Sequence, residues 1–507
     1  MPEQRVEYST ALRHEYTTVD DVTHDASSGA PRAAVPADAP RGPTRRGLLG
    51  ALTAAGAAAA AAGLADAVLP ARPASASPSA PDAAPGRTFH VHPSGSDDAD
   101  GLSPTRPWRS LARLNLAFAE QRVRHGDTVL LARGRVHPGV LRPREPAQGD
   151  DRLLTIAAYG TGSAPRVSAF KTPTAAGWRE TAPGSGRWQV DLAATGAGSD
   201  WLGDASSSTA NVGFLKVNDE IRAYRRGSVS DLRGQWEFAS PVGSTVLTVR
   251  SDARPDTLGS VQAAVDDPLV VGVSQLVLRG LHLVGTGSHG YDDGPGVHDV
   301  LIEHCTVSHV GGSELPGAGR YGNGVQIWQA GQRVTVRRCV ITDCWDTATT
   351  VQGWDGPWSA IVFEQNVVLR CTQAFELWTR GGPASPGVLD CRFVDNVCHD
   401  VGLGWGARPQ QRGRGSHVLF YMLETPVSLE VTGNVFGSSR DAVYYVGAGA
   451  GSTATLPSGL SSHDNVVVQP RGRPIVWDGP WTVERSELFS TGPGREVDST
   501  FVVGDPR

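Results

Sequence analysis

The sequence contains almost no lysine. Its 507 residues include only two, Lys171 and Lys216, so arginine supplies nearly all of the positive charge. The formal net charge of -6 comes without a basic stripe, which excludes the electrostatic footprint of a nucleic-acid-binding protein. The sequence also lacks a CxxC motif and a histidine pair with zinc spacing, which argues against a zinc site.

Long apolar runs are missing after residue 76, so no later segment is predicted to cross a bilayer. The chain is instead rich in glycine and proline, with 61 and 35 residues, which indicates many turns. A hydrophobic content of 39% still supports a packed interior. A repeat architecture would carry this length without separate domains.

The first 76 residues have the composition of an export leader. Residues 1–43 are polar and rich in proline, alanine and aspartate, which predicts disorder. Arg45 and Arg46 then precede an alanine-rich apolar run, and a small-x-small cleavage site ends at Ala76. This arrangement resembles a twin-arginine signal peptide; a membrane anchor or a plain alanine-rich helix are the alternatives. We therefore predict a secreted protein that is exported folded and cleaved near Ala76.

Six segments of the chain match one template, with inward residues at positions i, i+2, i+5, i+7 and i+10. Only apolar, small or asparagine residues fill these positions. The repeats start 24 to 38 residues apart, which fits one coil of a solenoid plus a loop of variable length. The six starting residues are Leu276, Val300, Val334, Ile361, Cys391 and Leu429.

The template specifies strands and a bend. Alternation with a period of two is typical of strands, and the three-residue step before i+5 indicates a one-residue bend between two of them. Asn366, Asn396 and Asn434 occupy i+5, where stacked amides satisfy the bent backbone. Hairpin turns at the even spacing of an antiparallel sandwich are missing. The repeats therefore predict an all-β parallel β-helix.

The N-terminal segment adds a family resemblance. The runs His90–Gly101 and Pro107–Leu111 and the strand at Gly126–Leu130 are similar to the opening of many secreted solenoids. Over residues 89–505 the chain resembles the pectate-lyase-like superfamily of right-handed parallel β-helix proteins. This resemblance implies a right-handed solenoid with an N-terminal cap helix, which the amphipathic pattern predicts at Ser110–Val123. It is specific for the fold and weak for the reaction.

The predicted organisation has six parts. They are the leader and signal peptide (1–76), a linker (77–87), the cap and first coils (88–170), an inserted β-rich segment (171–267), the β-helix body (268–470) and a C-terminal tail packing on the helix (471–507).

All six cysteines take inward positions in the template. Stacked coils about 4.8 Å apart allow disulfides after export, and buried thiols are the alternative.

Outward residues next to the repeats form the candidate site. The segments Gly324–Trp328, Ala348–Gln352 and Ala374–Trp378 align on consecutive coils. Their alternation predicts two outward columns, and Tyr444 is a candidate to extend the first. The first column contains Gln326, Thr350 and Glu376, and the second contains Trp328, Gln352 and Trp378.

Aromatic rings beside amides, carboxylates and arginines suit a sugar, because rings stack on its faces and polar groups bind its hydroxyls. Several tryptophans, Trp345 especially, are alternatively expected to pack loops onto the solenoid. Trp328 and Trp378 are predicted to be exposed in a groove. The predicted substrate-binding residues are Trp328, Gln326, Asn323, Tyr321, Gln352, Trp354, Trp378 and Arg380.

Cleavage of a glycan by hydrolysis would need two carboxylic acids. Cleavage by a lyase would need a cation and a base. Glu376 is predicted as the general acid, with Asp346 as its partner and Asp355 in reserve. The alternative for Glu376 is a solvated carboxylate paired with Arg380. A lyase would use a cation, for which Arg320 and Arg380 are available, and a base, for which His289, His298 and Tyr321 are available.

No cofactor is predicted, and calcium bound by the aspartates at 292–293 or 97–100 is an alternative. These Asp/Gly runs are also typical of turns. A lysine base has no support in the repeats, and the residues around His289 do not match the polygalacturonase motif.

We predict a secreted carbohydrate-active protein, either a glycoside hydrolase or a polysaccharide lyase. A non-catalytic glycan-binding β-helix and a uronan epimerase are the alternatives. The expected partner is a polysaccharide, with no nucleic acid and no membrane after signal cleavage, and the chain is expected to be a monomer.

Overall fold

The structure is a computed structural model that describes residues 86–193, 210–315, 319–354, 356–407, 414–448, 451–452, 455–486 and 497–504. The predicted signal peptide and Asp355 lie outside these residues. Within them, no helix has the length and apolar character needed to cross a membrane.

The chain winds into a right-handed parallel β-helix whose coils build three long sheets. Strands on consecutive coils pair in parallel, apart from the final pair of the third sheet. The first sheet contains Thr88–Val91, Thr128–Ala132, Leu154–Tyr159, Leu276–Arg279, His298–Glu303, Gln332–Arg337, Trp358–Glu364, Val388–Val394, Val427–Thr432 and Leu460–His463. The second sheet contains Val136–Pro138, Arg166–Ser168, His282–Thr286, Thr306–Val310, Val340–Cys344, Val367–Leu369, Val397–His399, Val435–Phe436, Val466–Pro470 and Thr500–Gly504. The third sheet contains Val270–Val271, Tyr291–Asp292, Val325–Ile327, Thr347–Trp354, Gln373–Arg380, Ser416–Tyr421, Ala442–Ala448 and Gly451–Ser452.

The repeat template describes the core of this helix. Every template residue of the six repeats is at most 3% exposed. The residue just before each i+5 position adopts a left-handed backbone conformation, as at Arg338, Gln365 and Asp395, so the one-residue bend is confirmed. A seventh repeat starts at Leu460 and places Asn465 beneath Asn434, which extends the amide ladder beyond the predicted coils.

A helix caps the N-terminal end. It spans Leu111–Ala119, and the Ser110 hydroxyl accepts a hydrogen bond from the backbone N–H of Arg113 at its first turn. Leu114 and Phe118 are buried in the same core as the first strand. The amphipathic pattern therefore predicted the helix correctly, although the helix ends four residues before Val123.

Two four-stranded antiparallel sheets interrupt the solenoid, as predicted for the inserted segment. One contains Phe170–Lys171, Val212–Val217, Glu220–Arg222 and Val261–Val265, and the other Arg179–Glu180, Arg187–Asp191, Phe238–Ala239 and Val246–Arg250. The remaining short elements are the strands Ser313–Glu314 and Arg320–Tyr321, the helix Pro255–Leu258 and the 3-10 turns Ala175–Gly177, Val229–Asp231, Trp405–Ala407 and Val483–Arg485.

All six cysteines are buried free thiols. Burial raises the pKa of the Cys391 thiol to about 12. The Cys391 thiol therefore packs as a small apolar group in the core.

Candidate functional site

The outward face of the third sheet carries the first predicted column in the predicted register. Gln326 pairs with Thr350, and Thr350 pairs with Glu376, on consecutive coils. Asp292 is level with Gln326 on the preceding coil, so the column begins one coil earlier than predicted. In the sequence, the pair Tyr291-Asp292 has the same inward–outward order as the pair Val325-Gln326. This similarity would have identified Asp292 as a member of the column.

The column continues through Leu419 and Tyr445 rather than through Tyr444. Tyr444 pairs with Val418 in the inward column and is fully buried, so its predicted outward position is wrong by one residue. The strand Ser416–Tyr421 between these coils is buried along nearly its whole length and shows no alternation. For that reason, the period-two pattern does not detect it.

The predicted tryptophan groove is filled by the tryptophans themselves. Trp328 and Trp378 are only 2% and 5% exposed, so the prediction that they are exposed is wrong. Their ring centroids lie 6.0 Å apart, and Trp354 packs edge-on against both at 5.3 and 5.2 Å. Leu315 completes the cluster, and the partly buried residues packed against it are Tyr321, Trp354, Tyr421 and Met422.

Trp354, Tyr421 and Tyr321 are the partly exposed aromatic rings of this cluster. Trp345 is fully buried, which agrees with the expectation that it packs a loop onto the solenoid. Trp358 is also fully buried, but it belongs to the main core through the strand Trp358–Glu364. Trp345 packs against Trp405, whose indole N–H donates to the carbonyl of Asp343 at 2.7 Å.

A hydrogen-bonded row of amides lies in the polar half of the column. The Gln326 side-chain N–H donates to Asp292 at 2.8 Å. Its carbonyl oxygen accepts from Asn323 at 2.9 Å and from Gln352 at 2.7 Å. Thr350 in turn donates to Gln352 at 3.1 Å. These contacts fix the orientation of both glutamines, so their amides are held in place before any ligand binds.

Glu376 is buried in this face, with 5% of its surface exposed. The Thr347 hydroxyl hydrogen is shared between Glu376 Oε2 and Gln373 Oε1, each at 3.3 Å. The Thr347 backbone N–H donates to Asn323 Oδ1 at 3.2 Å. Glu376 is thereby connected to the amide row. Asp346 is also buried and immediately precedes Thr347 in the chain. Arg380 forms an ion pair with Glu424 at 3.0 Å.

Tyr321 and His289 lie beside the row, where the inserted segment rejoins the helix. The Tyr321 hydroxyl donates to Asp266 and lies 3.2 Å from the Ser288 hydroxyl. Burial, chiefly, and the nearby Asp266 carboxylate raise the pKa of Tyr321 well above its usual value. Burial lowers the pKa of His289 to about 3, and its Nδ1 accepts the backbone N–H of Asn323. At neutral pH, then, the phenol is protonated and the imidazole is neutral.

Arg320 occupies a structural position. Its guanidinium donates to the carbonyls of Gly312 and Gly213 at 2.7 Å each and lies 3.7 Å from the centre of the Trp345 ring. Because Gly213 belongs to the inserted segment, Arg320 ties that segment to the helix. These contacts leave the predicted role as substrate cation without support, and the role stays a prediction.

The aspartates considered for calcium have other contacts. Asp97 accepts from the backbone N–H groups of Arg109 and Ser110 before the cap helix, and Asp100 forms an ion pair with Arg106 at 3.3 Å. Asp293 accepts the backbone N–H of Trp328, and burial raises its pKa well above the usual range. In the described part of the chain, no three histidine, cysteine or acidic side chains form a metal-binding group. Calcium binding stays an alternative prediction.

Comparisons with known proteins found solved structures at low sequence identity. No protein-family model and no curated protein matches the chain. The solved structure of a XylC–xylose complex is 10% identical, with 82% of each chain covered and a TM-score of 0.46. Pectate lyase Pel9A is 11% identical, with 83% of this chain and 78% of that chain covered and a TM-score of 0.43. The alginate lyase from Paenibacillus sp. str. FPU-7 is 8% identical, with 82% and 99% covered and a TM-score of 0.35. At these identities and TM-scores, none of these structures assigns an activity to this chain.

Proposed function

We propose that this protein acts on a carbohydrate polymer that lies along the outward face of the third sheet. The observation that carries the proposal is the position of Glu376, a buried carboxylate tied by Thr347 to an ordered row of amides beside partly exposed aromatic rings. A carboxylate in such a setting suits general acid catalysis, and amides and aromatic rings suit a sugar.

Cleavage by hydrolysis needs a second carboxylate at a defined separation. Asp292 and Glu376 share a column but lie three coils apart, about 14 Å at about 4.8 Å per coil. This exceeds the separation of about 5 to 9.5 Å in retaining and inverting glycosidases. The second acid we propose is Asp346, a buried carboxylate that directly precedes Thr347 in the chain.

One observation favours the non-catalytic alternative. The tryptophans that were expected to line an open groove pack against one another, and this leaves a smaller aromatic surface at Trp354 and Tyr421. A surface of this kind would bind a glycan without cleaving it if Asp346 does not serve as a second acid. A uronan epimerase is a further alternative, because it would need a proton-transferring residue rather than an acid pair.

The test is an activity screen of the purified protein against neutral and acidic polysaccharides. Reducing ends report hydrolysis, and absorbance of an unsaturated product reports elimination. A new product in either assay supports an enzyme, and binding without any product supports the glycan-binding alternative. A protein that neither binds nor alters any polysaccharide of the panel would contradict the proposal.

We further propose that the chain is exported by the twin-arginine route and acts outside the cell. Arg45 and Arg46 before the apolar run, and the cleavage site at Ala76, support this. The double change Arg45→Lys with Arg46→Lys is expected to retain the precursor in the cytoplasm, whereas Arg41→Lys serves as the matched control. Immunoblots of fractionated cells make the measurement, and undiminished export of the double variant would refute the route.

A further inference from the structure

Beyond Glu376, the outward column carries apolar and aromatic residues instead of polar ones. Its next members are Leu419 and Tyr445, on the following two coils. Tyr444 then pairs in parallel with Val476, which places Trp477 level with Tyr445 on the coil after that. At about 4.8 Å per coil, Tyr445 and Trp477 lie about 10 and about 14 Å along the column from Glu376. Both rings are partly exposed.

The aromatic surface is continuous up to this point. Tyr421 packs on the tryptophan cluster and is level with Gly447 on the next coil. A Cβ atom at Gly447 would lie 3.0 Å from the Tyr421 ring and 3.4 Å from the Tyr445 ring. The absence of a side chain at Gly447 therefore lets the two tyrosine rings approach each other. An extended chain of sugars that starts at Glu376 would meet aromatic rings on successive coils.

Arg414 adds a positive charge to this aromatic end, and Asp478, which follows Trp477, adds a negative one. The Arg414 guanidinium carbon lies 3.9 Å from the centre of the Trp477 ring. The Arg414 backbone carbonyl accepts the side-chain N–H of Gln373, in the strand that carries Glu376, at 2.7 Å. The Arg414 side chain is exposed, and no carboxylate in the described residues forms a salt bridge with it.

Arg380 and Arg320, the two arginines of the predicted site, are already engaged. Arg380 pairs with Glu424, and Arg320 donates to backbone carbonyls. Arg414 thus presents guanidinium donors to solvent from a position that the indole ring fixes. A planar guanidinium binds a carboxylate through two parallel hydrogen bonds, and a neighbouring ring stacks on the apolar face of a sugar.

We infer that Arg414, Tyr445 and Trp477 form a subsite for a uronic acid residue of an acidic polysaccharide. Tyr445 and Trp477 lie two and three coils beyond Glu376, and the Arg414 side chain reaches them from the segment before the strand Ser416–Tyr421. The sugar ring stacks on Tyr445 and Trp477, and its carboxylate binds Arg414. This inference rests on the proposed function, and it narrows the substrate to a glycan that carries carboxylates. The net charge of the whole chain does not predict the subsite, because the positive charge of the subsite comes from the position of a single arginine.

The experiment compares acidic polymers with their carboxyl-reduced forms, which keep the linkages and lose the charge. Polygalacturonate and alginate are the probes, and affinity electrophoresis of the purified full chain gives the dissociation constants. Arg414→Gln is expected to weaken binding to one of these uronans about tenfold and to leave binding to its reduced form unchanged. Trp477→Ala is expected to weaken both. Arg392→Gln, on the first sheet, is the matched control and is expected to change neither.

The outcomes separate the subsite from the proposed function. If Arg414→Gln binds both uronans as the unaltered protein does, or if the unaltered protein binds the native and reduced polymers equally, the uronate subsite is wrong. If the protein binds or cleaves only neutral glycans, the subsite is wrong and the proposed function stands. If it binds no polysaccharide of either kind, both are wrong.

Discussion

The Asn396 side chain accepts two hydrogen bonds from Asn366 on the preceding coil. Its Oδ1 atom lies 2.9 Å from the backbone nitrogen of Asn366 and 3.0 Å from the side-chain nitrogen of the same residue. Asn434 repeats the arrangement beneath Asn396, and Asn465 repeats it beneath Asn434. Each amide thus satisfies the backbone of the coil above at a bend where no sheet partner is available.

Replacing Asn396 with leucine would leave the bend without these partners. The backbone N–H of Asn366 loses its acceptor, and a leucine in this position brings no donor for the carbonyl of Phe363. We expect the free energy of unfolding to fall by about 1–3 kcal/mol. Urea denaturation makes the measurement, with the surface change Arg392→Gln as the control. An unchanged midpoint would show that the ladder does not support the bend.

Glu376→Gln tests the catalytic role of the carboxylate. As a general acid, Glu376 should contribute about 10²–10⁴-fold to the rate, so the variant should lose that factor and largely keep its glycan affinity. Glu364→Gln is a matched control, because Glu364 lies on the first sheet. Rates and dissociation constants are measured on whichever polysaccharide the screen identifies. Near-normal turnover in Glu376→Gln would move the catalytic role to Asp346 or Asp355.

Trp354 and Trp345 should respond differently to truncation. Trp354 is partly exposed beside the tryptophan cluster, so Trp354→Ala is expected to weaken glycan binding about tenfold. Trp345 is fully buried between Arg320 and Trp405, so Trp345→Ala is expected to lower the free energy of unfolding by about 3–5 kcal/mol. Dissociation constants and melting curves of both variants make the comparison. If both variants lose the same amount of binding and neither loses stability, Trp354 has no binding role of its own and Trp345 has no packing role.

Stability should decrease on mild acidification. Burial lowers the pKa of His417 to about 3 in the folded protein, below its ordinary value of 6.5. Below pH 6.5 the unfolded chain therefore takes up a proton that the folded chain does not, and the folded state loses stability as the pH falls toward 3. His289, with a pKa of about 3, and His282, with about 4, act in the same direction.

We expect His417 alone to account for up to about 2 kcal/mol between pH 6.5 and pH 5. His417→Gln should reduce the pH dependence of the free energy of unfolding, measured in urea at pH 7 and pH 5. His304→Gln is the control, because His304 is exposed. Its position in the bend is occupied by a glutamine, Gln365, two coils later. The same pH dependence in both variants would contradict the burial of a neutral imidazole at position 417.

Local residue patterns determined the solenoid. Each coil repeats the same bend and the same alternation of inward and outward residues, and both patterns extend over only a few neighbouring positions. The inward template, the asparagine ladder and the register of Gln326, Thr350 and Glu376 all follow from this short-range order. Tyr444 was placed one residue out of phase because the preceding strand, Ser416–Tyr421, is buried almost throughout and gives no alternation to count from.

The tertiary structure alone decided what covers the outward face and which charges remain available on it. Trp328 and Trp378 point outward as the alternation requires, yet Leu315 and Trp354, from loops and coil ends, bury them. Arg320 is held by Gly213, 107 residues earlier in the chain, and Arg414 stacks on Trp477. The physical reason is that a strand's own pattern fixes only its direction and its inward side. The burial and the charge of its outward side depend on segments that are distant in sequence, whose lengths and folds the repeat does not encode.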